Sequence, residues 1–461
     1  MFMKISDFKN KRVLVLGLGL HGGGVAVARW LAKHGAKVLV SDIKTKSELS
    51  SSVRALQGWP ITYYLGTEPT AKLLKNLDII IQNPGVPKSH PFLAQAKKHK
   101  ISIENEASLF LKLCPSKLVL GITGSKGKST TTALLGAILK KWNKHTVVGG
   151  NIRDTVMFDL LDKIKTTTPV VLELSSWHLE LVGSHHLSLP FALITNIFPE
   201  HLNRYKSFKD YIEAKAQIFR HQKDQAAIVL NYDNKTSKSL SHLVRSRLYW
   251  FSLKKSVSRG AFVKSSAVYV RDKKNKLLFK ISNLKLLGEH NLANAIAAAL
   301  LAYVAGVPIK FIQQGMASFT GLHDRLELVA VKGSVNYYND TAATAPEATI
   351  AALQSFAGKD ITLIAGGADK KLSYTDLTKV IKQRVKTLIL LPGSATVKLQ
   401  ADLINFQPIF LASSMKQAVK LAHQLTAPGS IVIMSPGAAS FGLFKHEFDR
   451  GEQFVKNVRA L

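Results

Sequence analysis

Residues 121–136, GITGSKGKSTTTALLG, hold the side chains best suited to gripping a phosphate. The frame Gly124-Ser125-Lys126-Gly127-Lys128-Ser129-Thr130 is a shortened form of the phosphate loop. Its glycines let backbone amides face phosphate oxygens, and the helix that follows offers its N-terminus. Lys128 can reach between β- and γ-phosphates, while Ser129 or Thr130 can hold Mg²⁺. A chance glycine-rich turn would not need strand, loop and helix in that order. A second turn, Gly17-Leu18-Gly19-Leu20-His21-Gly22, matches GxGxxG, with Asp42 roughly twenty residues further on at the next strand end. Alone it fits a dinucleotide; with a phosphate loop downstream it fits the phosphates of another nucleotide equally well.

In ELSSWHLEL, Glu173 ends a buried strand, where a carboxylate is costly unless it meets a cation. In a phosphate-loop protein that cation is Mg²⁺; the plain alternative is a Glu that caps the next helix. Asn196 closes the following strand, His201 comes shortly after it, and Lys215 sits on the helix beyond. A single His is commonly a satisfied polar residue, but this one follows a strand end in the same unit as the phosphate loop. Cys114 is the one cysteine, so the chain has neither an internal disulfide framework nor a Cys-based metal cluster. It reads as core filler on a helix.

These residues must be positioned by elements. Apolar runs of strand length alternate with amphipathic stretches of helix length almost throughout, the pattern of parallel sheets with crossover helices. The fold class is therefore α/β in three domains. Residues 1–112 form a Rossmann-like unit and 113–321 a central phosphate-loop unit. Residues 322–461 form a second Rossmann-like unit with strands ITLIAGG, TLILLPG and SIVIMSP. Between about residues 246 and 283, AFVKSSAVYV and the turn RDKKNK read as an antiparallel β-rich insert. GMASFTGLHDRLELV reads as the hinge before the last unit.

The bulk properties bound the function. At 461 residues with a net charge of +33, the chain would attract anionic partners. Its Lys and Arg residues are scattered without an aromatic stacking array, so no nucleic-acid site is expected. No apolar run is long enough to span a membrane, and MFMKISDFKNKR lacks the features of a signal peptide. A soluble, cytoplasmic protein is expected.

Four separated motifs, TGSKGKST, ELSSWHLE, NIFPEHLNRYKSFKDYIEAKAQIF and LLGEHNLANAIAAA, resemble those of the Mur ligase family in order and spacing. GLHDRLE and SPGAASFGLFKHEFDRGEQF are similar to its D-glutamate-adding branch. The resemblance implies a first domain for a UDP-sugar, a central domain for ATP and a third for the amino acid. It implies amide formation through an acyl phosphate, with UDP-N-acetylmuramoyl-L-alanine and glutamate as substrates in peptidoglycan precursor synthesis, by an enzyme taken as a monomer.

Position by position, the resemblance implies one Mg²⁺ at Ser129, Thr130 and Glu173, and a second held by His201 and Lys215, the latter carbamylated by CO₂. Asn151 corresponds to a residue near the substrate carboxylate and Asn291 to an adenine contact. Arg325 corresponds to a phosphate contact and Asp340 to a ribose contact. Gly19, Leu20, His21, Asp42, Asn83 and Gly85 resemble UDP contacts, while Lys370, Ser440 and Phe444 belong with the amino acid. Five positions depart from the pattern. Ala342 stands where a lysine is usual, His323-Asp324 precede the hinge arginine in place of Pro-His, Asn203 replaces Asp, and Glu447 replaces an aromatic beside Phe448. These leave open a ligase for another amino acid such as L-glutamate. An oxidoreductase built on the first glycine turn is a further alternative, as is a nucleic-acid-binding protein motivated by charge alone.

Overall fold

The computed structural model describes residues 3–20, 22–152, 155–201 and 204–461. His21 and Asn203 lie outside the described residues. The fold contains three sheets, and each ends its functional strands at loops that carry the candidate residues.

The first sheet is built from β1 (Arg12–Leu16), β2 (Lys37–Asp42), β3 (Ile61–Leu65), β4 (Ile79–Gln82) and β5 (Ser102–Glu104). All pairings are parallel in the order β3-β2-β1-β4-β5. The apolar runs RVLVL and IIIQ are buried on both faces, as parallel strands under crossover helices must be. β3, with the sequence ITYYL, was not foreseen from the sequence analysis; it is the half-exposed edge. The chain leaves β1 toward β2 on one side and returns to β4 on the other. This is the switch point at which open α/β sheets bind ligands.

The second sheet gathers β6 (Val119–Thr123), β7 (Val147–Gly150), β8 (Val170–Glu173), β9 (Phe191–Ile194), β10 (Ala227–Asn231), β11 (Arg247–Ser252), β12 (Gly260–Lys264), β13 (Ala267–Arg271) and β14 (Asn275–Lys280). Its order is β14-β13-β12-β11-β10-β9-β6-β8-β7. The antiparallel hairpin expected in AFVKSSAVYV is present as β12–β13, and the correction concerns only the start of the insert. β11 runs parallel to β10 and β12 parallel to β11; only β12-β13-β14 form an antiparallel meander. Gly260 makes the junction possible. At φ +138°, its missing Cβ would lie 1.8 Å from the Trp250 carbonyl oxygen, so no larger residue could bring β12 alongside β11.

The third sheet comprises β15 (Glu327–Lys332), β16 (Val335–Asn339), β17 (Ile361–Gly366), β18 (Val385–Leu391), β19 (Ile409–Leu411) and β20 (Ile431–Met434), in the order β15-β16-β20-β17-β18-β19. The β15–β16 pair is antiparallel and the other pairings are parallel. The sequence reading found β17, β18 and β20, whose apolar runs are continuous, and missed the edge pair β15–β16.

By contacts the chain falls into two compact units. One contains the first and second sheets. The other contains the third sheet together with residues 284–292, so the start of the helix Glu289–Val304 belongs to it. Within the first unit, the two sheets are joined through the helix Gly23–Lys33. Its Trp30 ring packs edge-on to Phe158, and its Nε1 donates to Asp162 at 2.9 Å. Asn105 strengthens the joint by donating to the carbonyls of Trp177 and His178. Cys114 is buried just past the helix Glu106–Leu113, as its C-cap. Among the described residues, no helix is long and apolar enough to cross a membrane.

Candidate active site

The phosphate loop connects β6 to the helix Lys128–Trp142, and Gly127 caps that helix in the left-handed conformation. Lys128, Ser129 and Thr130 are therefore the first residues of the helix, where backbone amides point outward toward an anion. The loop is tied to the end of β9. Ser125 N donates to the Asn196 carbonyl at 2.9 Å, Lys126 N donates to Asn196 Oδ1 at 2.9 Å, and Thr195 Oγ1 donates to the Lys126 carbonyl at 2.7 Å. Gly124 must be glycine: at φ +150°, a Cβ would meet Thr195 Oγ1 at 1.9 Å. Lys128 Nζ donates to the carbonyls of Gly124 and Ser125, both at 2.9 Å.

Lys215, on the helix Phe208–Ala216, reaches the same loop from the side. Its Nζ donates to the Gly124 carbonyl at 2.7 Å and lies 4.6 Å from the Tyr211 ring centre. The side chain is 1% exposed. Burial, reinforced by the charge of Lys128, brings its amine down to about 6, although Glu200 and Glu173 pull the other way. Glu173 ends β8, in register with Ile122 of the strand that feeds the loop, and is 1% exposed. Asn151 follows β7 and donates from Nδ2 to Glu173 Oε1 at 3.3 Å. His201 adopts φ +57°; its ring lies 5.7 Å from that of Trp177 and 5.8 Å from that of Tyr211. Burial, opposed by Glu200 and aided by Lys215, Lys128 and Lys126, lowers its pKa. Lys128, Asn151, Glu173, His201 and Lys215 are thus gathered around one loop of the first unit.

The donor set suits a hard divalent cation. Hydroxyls on the first helical turn and a buried carboxylate are oxygen ligands of the kind Mg²⁺ prefers, leaving room for phosphate oxygens. Among the described residues, no three His, Cys, Asp or Glu side chains form a cation cage by themselves.

The first glycine turn lies at the switch point of its sheet, opposite the turn after β4. Asp42 closes it: its Oδ2 accepts from the amides of Leu18 at 2.8 Å and Gly19 at 3.1 Å. Asn83 Oδ1 accepts from Gly85 N at 3.1 Å. A Cβ on Gly17 would meet Asn83 Cβ at 2.9 Å, so the two turns touch only because Gly17 is bare. Leu20 projects from the turn and is exposed. Glu106, which the sequence reading passed over, lies against Gly23 at the start of the next helix, and burial pushes its carboxyl up to about 7.

In the second unit, the loops after β16, β17 and β20 meet. Ala368 and Ala439 form an antiparallel bridge that brings Lys370 and Ser440 to the same end of the sheet. Lys370 Nζ donates to Thr344 Oγ1 at 3.0 Å. Phe444 is almost fully buried in the hydrophobic cluster of Val335, Tyr337 and Phe454. Asn291 donates to the Leu287 carbonyl at 2.8 Å. Asp340 is buried beside the Arg325 backbone turn, accepting from Leu326 N at 3.2 Å and from Ser435 Oγ at 2.7 Å.

Arg450 was also missed. It is fully buried and donates to Thr341 Oγ1, the Thr341 carbonyl and the Ala438 carbonyl at 2.9–3.1 Å, clamping the loop after β16 to the loop after β20. The signal was an arginine on the inner face of the amphipathic helix Glu447–Arg459.

The three sheets and the loop chemistry define a nucleotide-dependent α/β enzyme with its phosphate loop in the middle sheet. The middle domain of the Mur ligases matches residues 122–302, an N-terminal domain of that family residues 11–105, and its glutamate ligase domain residues 324–437. The UDP-N-acetylmuramoylalanine--D-glutamate ligase of Roseiflexus sp. is 42% identical over 98% of this chain and 99% of its own. The protein of that name from Koribacter versatilis is 37% identical over 99% and 98%. A crystal structure of UDP-N-acetylmuramate-alanine ligase from Thermotoga maritima shares the fold, with a TM-score of 0.62 at 20% identity over 97% of this chain and 99% of that one. The chain belongs to the Mur ligase family, whose members are ATP-dependent ligases.

Asp340 yields a prediction. Burial raises its carboxyl from 3.8 to about 7, against the pull of Ser435, Leu326 and Arg325. The folded state therefore holds a proton that the unfolded state has released, and stability is lost as pH rises from about 4 through about 7. Urea unfolding should show this decline as the difference between the wild type and Asp340→Asn, at most about 1.4 kcal/mol per pH unit, since Glu106, also raised to about 7, adds its own slope to both. The slope should flatten in Asp340→Asn; an equal slope in the variant would assign the decline to other groups.

Proposed function

We propose that the protein joins D-glutamate to UDP-N-acetylmuramoyl-L-alanine at the expense of ATP. The observation that carries this reading is the gathering of Lys128, Lys215, Glu173 and His201 around one phosphate loop, beside a second nucleotide-type turn in the same unit. On this reading, residues 1–112 hold the UDP-sugar, 113–321 hold ATP and 322–461 hold the amino acid. Gly19, Leu20, Asp42, Asn83 and Gly85 contact the UDP group. Asn291, Arg325 and Asp340 are read as ATP contacts, while Lys370 and Ser440 receive the amino acid. The enzyme works as a cytoplasmic monomer.

The chemistry follows from the charges. The alanyl carboxylate attacks the γ-phosphorus, the bond to the β-γ bridging oxygen breaks, and ADP leaves. Lys128 neutralises charge that grows on the transferred group. The amine of glutamate, after losing a proton, adds to the carbonyl of the acyl phosphate; inorganic phosphate departs and the amide remains. Ser129, Thr130 and Glu173 would hold one Mg²⁺, and His201 with Lys215 a second. When bound, these ions draw charge from phosphate and acyl oxygens.

Mg²⁺ prefers oxygen ligands, so Lys215 suits it as a carbamate better than as an amine. An amine with a pKa of about 6 is largely neutral at pH 7 to 8 and can add CO₂, releasing a proton and leaving a carbamate. An ordinary ammonium could not.

A second reading keeps the reaction and changes the amino acid, since Ala342 stands at a position where the resemblance implies a lysine. Phosphate release with UDP-N-acetylmuramoyl-L-alanine across D- and L-amino acids decides between them. D-glutamate should give the highest kcat/KM, and preference for an L-amino acid would overturn the first reading. Lys128→Ala should cut amino-acid-dependent phosphate release by at least about a hundredfold while UDP-sugar affinity stays within a factor of two. Retained turnover would remove the role given to this loop. Lys215→Ala should be inactive and partly restored by millimolar formate or acetate, whose carboxylate replaces the missing carbamate; absence of rescue would argue against carbamylation.

A further inference from the structure

Arg204 follows the His201 loop, yet its guanidinium engages the first sheet. Nη1 donates to the Pro84 carbonyl at 2.7 Å, within the turn after β4 that carries Asn83 and Gly85. The same guanidinium lies over the Trp177 ring, 4.6 Å from its centre, and its Nη2 is 3.9 Å from Glu180. Trp177 in turn meets the His201 ring edge-on at 5.7 Å. The arginine is anchored from behind as well. Its own amide and that of Tyr205 both donate to the His201 carbonyl, and Tyr205 Oη donates to Glu180 at 2.7 Å. Its side chain is 21% exposed, so the bond to Pro84 is largely shielded from competing water.

On the side of its own sheet the turn is held by Asn83 N donating to the Leu16 carbonyl at 2.9 Å, by Gln82 Nε2 donating to the Val86 carbonyl at 2.8 Å and by the close approach of Gly17. Val86 N donates to the Asn83 carbonyl and Gly85 N to Asn83 Oδ1, both within the turn itself. Arg204 adds a hydrogen bond from the second sheet, beside the apolar packing of Leu181 and Val86 on one cluster. A planar guanidinium suits the task, because it can stack on an indole with one face while its edge donates hydrogen bonds. Lysine can supply the charge and one bond, but it cannot stack in the same way.

We infer that Arg204 is a positioning residue: a strut from the Asn83–Gly85 turn through Trp177 to His201, which sets the nucleotide-sugar turn at a fixed distance from the reacting groups. In its functional form this rests on the reading that Asn83 and Gly85 contact the UDP-sugar. The strut itself does not depend on that reading. It acts by holding the turn and the His201 ring, and transfers no proton or group.

The test has a ligand-free and a ligand arm. In the ligand-free protein, hydrogen–deuterium exchange at the Gly85 and Val86 amides should rise at least about tenfold in Arg204→Ala, with Arg204→Lys intermediate. Unchanged exchange at that turn overturns the strut. In the ligand arm, Arg204→Ala should raise the Kd for UDP-N-acetylmuramoyl-L-alanine and lower kcat, each by about tenfold. The Kd for a non-hydrolysable ATP analogue should stay within a factor of two, which global misfolding would not permit. Trp177→Phe in the Arg204→Ala background should add less than it does alone, because the two side chains act in series. Full additivity would overturn the coupling. If Asn83→Ala leaves UDP-sugar affinity unchanged while Arg204→Ala still loosens the turn, the UDP assignment fails and the strut stands.

Discussion

The arrangement depends on how tightly the phosphate loop is held. Gly124 lies so close to Thr195 that a Cβ could not fit, and the loop amides of Ser125 and Lys126 are bound to Asn196. A loop fixed before any ligand arrives loses little conformational freedom on binding, and its dipoles already face where charge will accumulate. The same closeness lets Lys215 reach the Gly124 carbonyl from another helix. A buried amine beside a second lysine is driven toward its neutral form, and the chemistry proposed for Lys215 needs that form. The rigidity of the loop and the reactivity of the lysine thus share one cause.

Placement of the functional loops follows a similar logic in every sheet. In the first, β1 and β4 diverge at a switch point and both following turns carry candidate contacts. In the second, β6, β8 and β9 supply the phosphate loop, Glu173 and Asn196. In the third, the loops after β16, β17 and β20 supply Asp340, Lys370 and Ser440. Parallel strands present their carboxyl ends together, so residues far apart in sequence converge without special bends in the chain.

Much of this was legible in the sequence. Continuous apolar runs such as RVLVL, VVLE and ITLIAG announced buried parallel strands, and the two glycine turns announced the loops after β1 and β6. Edge strands were harder, because the residue types of β3 (ITYYL) and β15 (ELVAVK) do not alternate although their burial is only partial. The insert was half right: its meander showed in the alternation of AFVKSSAVYV, whereas the parallel β11–β12 pairing depends on a contact at Gly260 that no local pattern reports. Side-chain partners set by tertiary packing were out of reach. Nothing in NRYK says that Arg204 touches Pro84, and although the period of the last helix puts Arg450 on the face of Phe454 and Val458, nothing in it names Thr341 and Ala438 as partners. Phe444, expected beside the amino acid, packs in the hydrophobic cluster of Val335, Tyr337 and Phe454, a set of neighbours that no local pattern reports.

Arg450 has a consequence for how the loops of the third sheet come apart. One guanidinium closes the loop after β16 and the loop after β20, and water cannot take over its bonds while it stays covered. Neither loop can open by itself without stranding a buried charge. The two therefore form a single cooperative patch, whose local melting is an all-or-none event with a steep threshold.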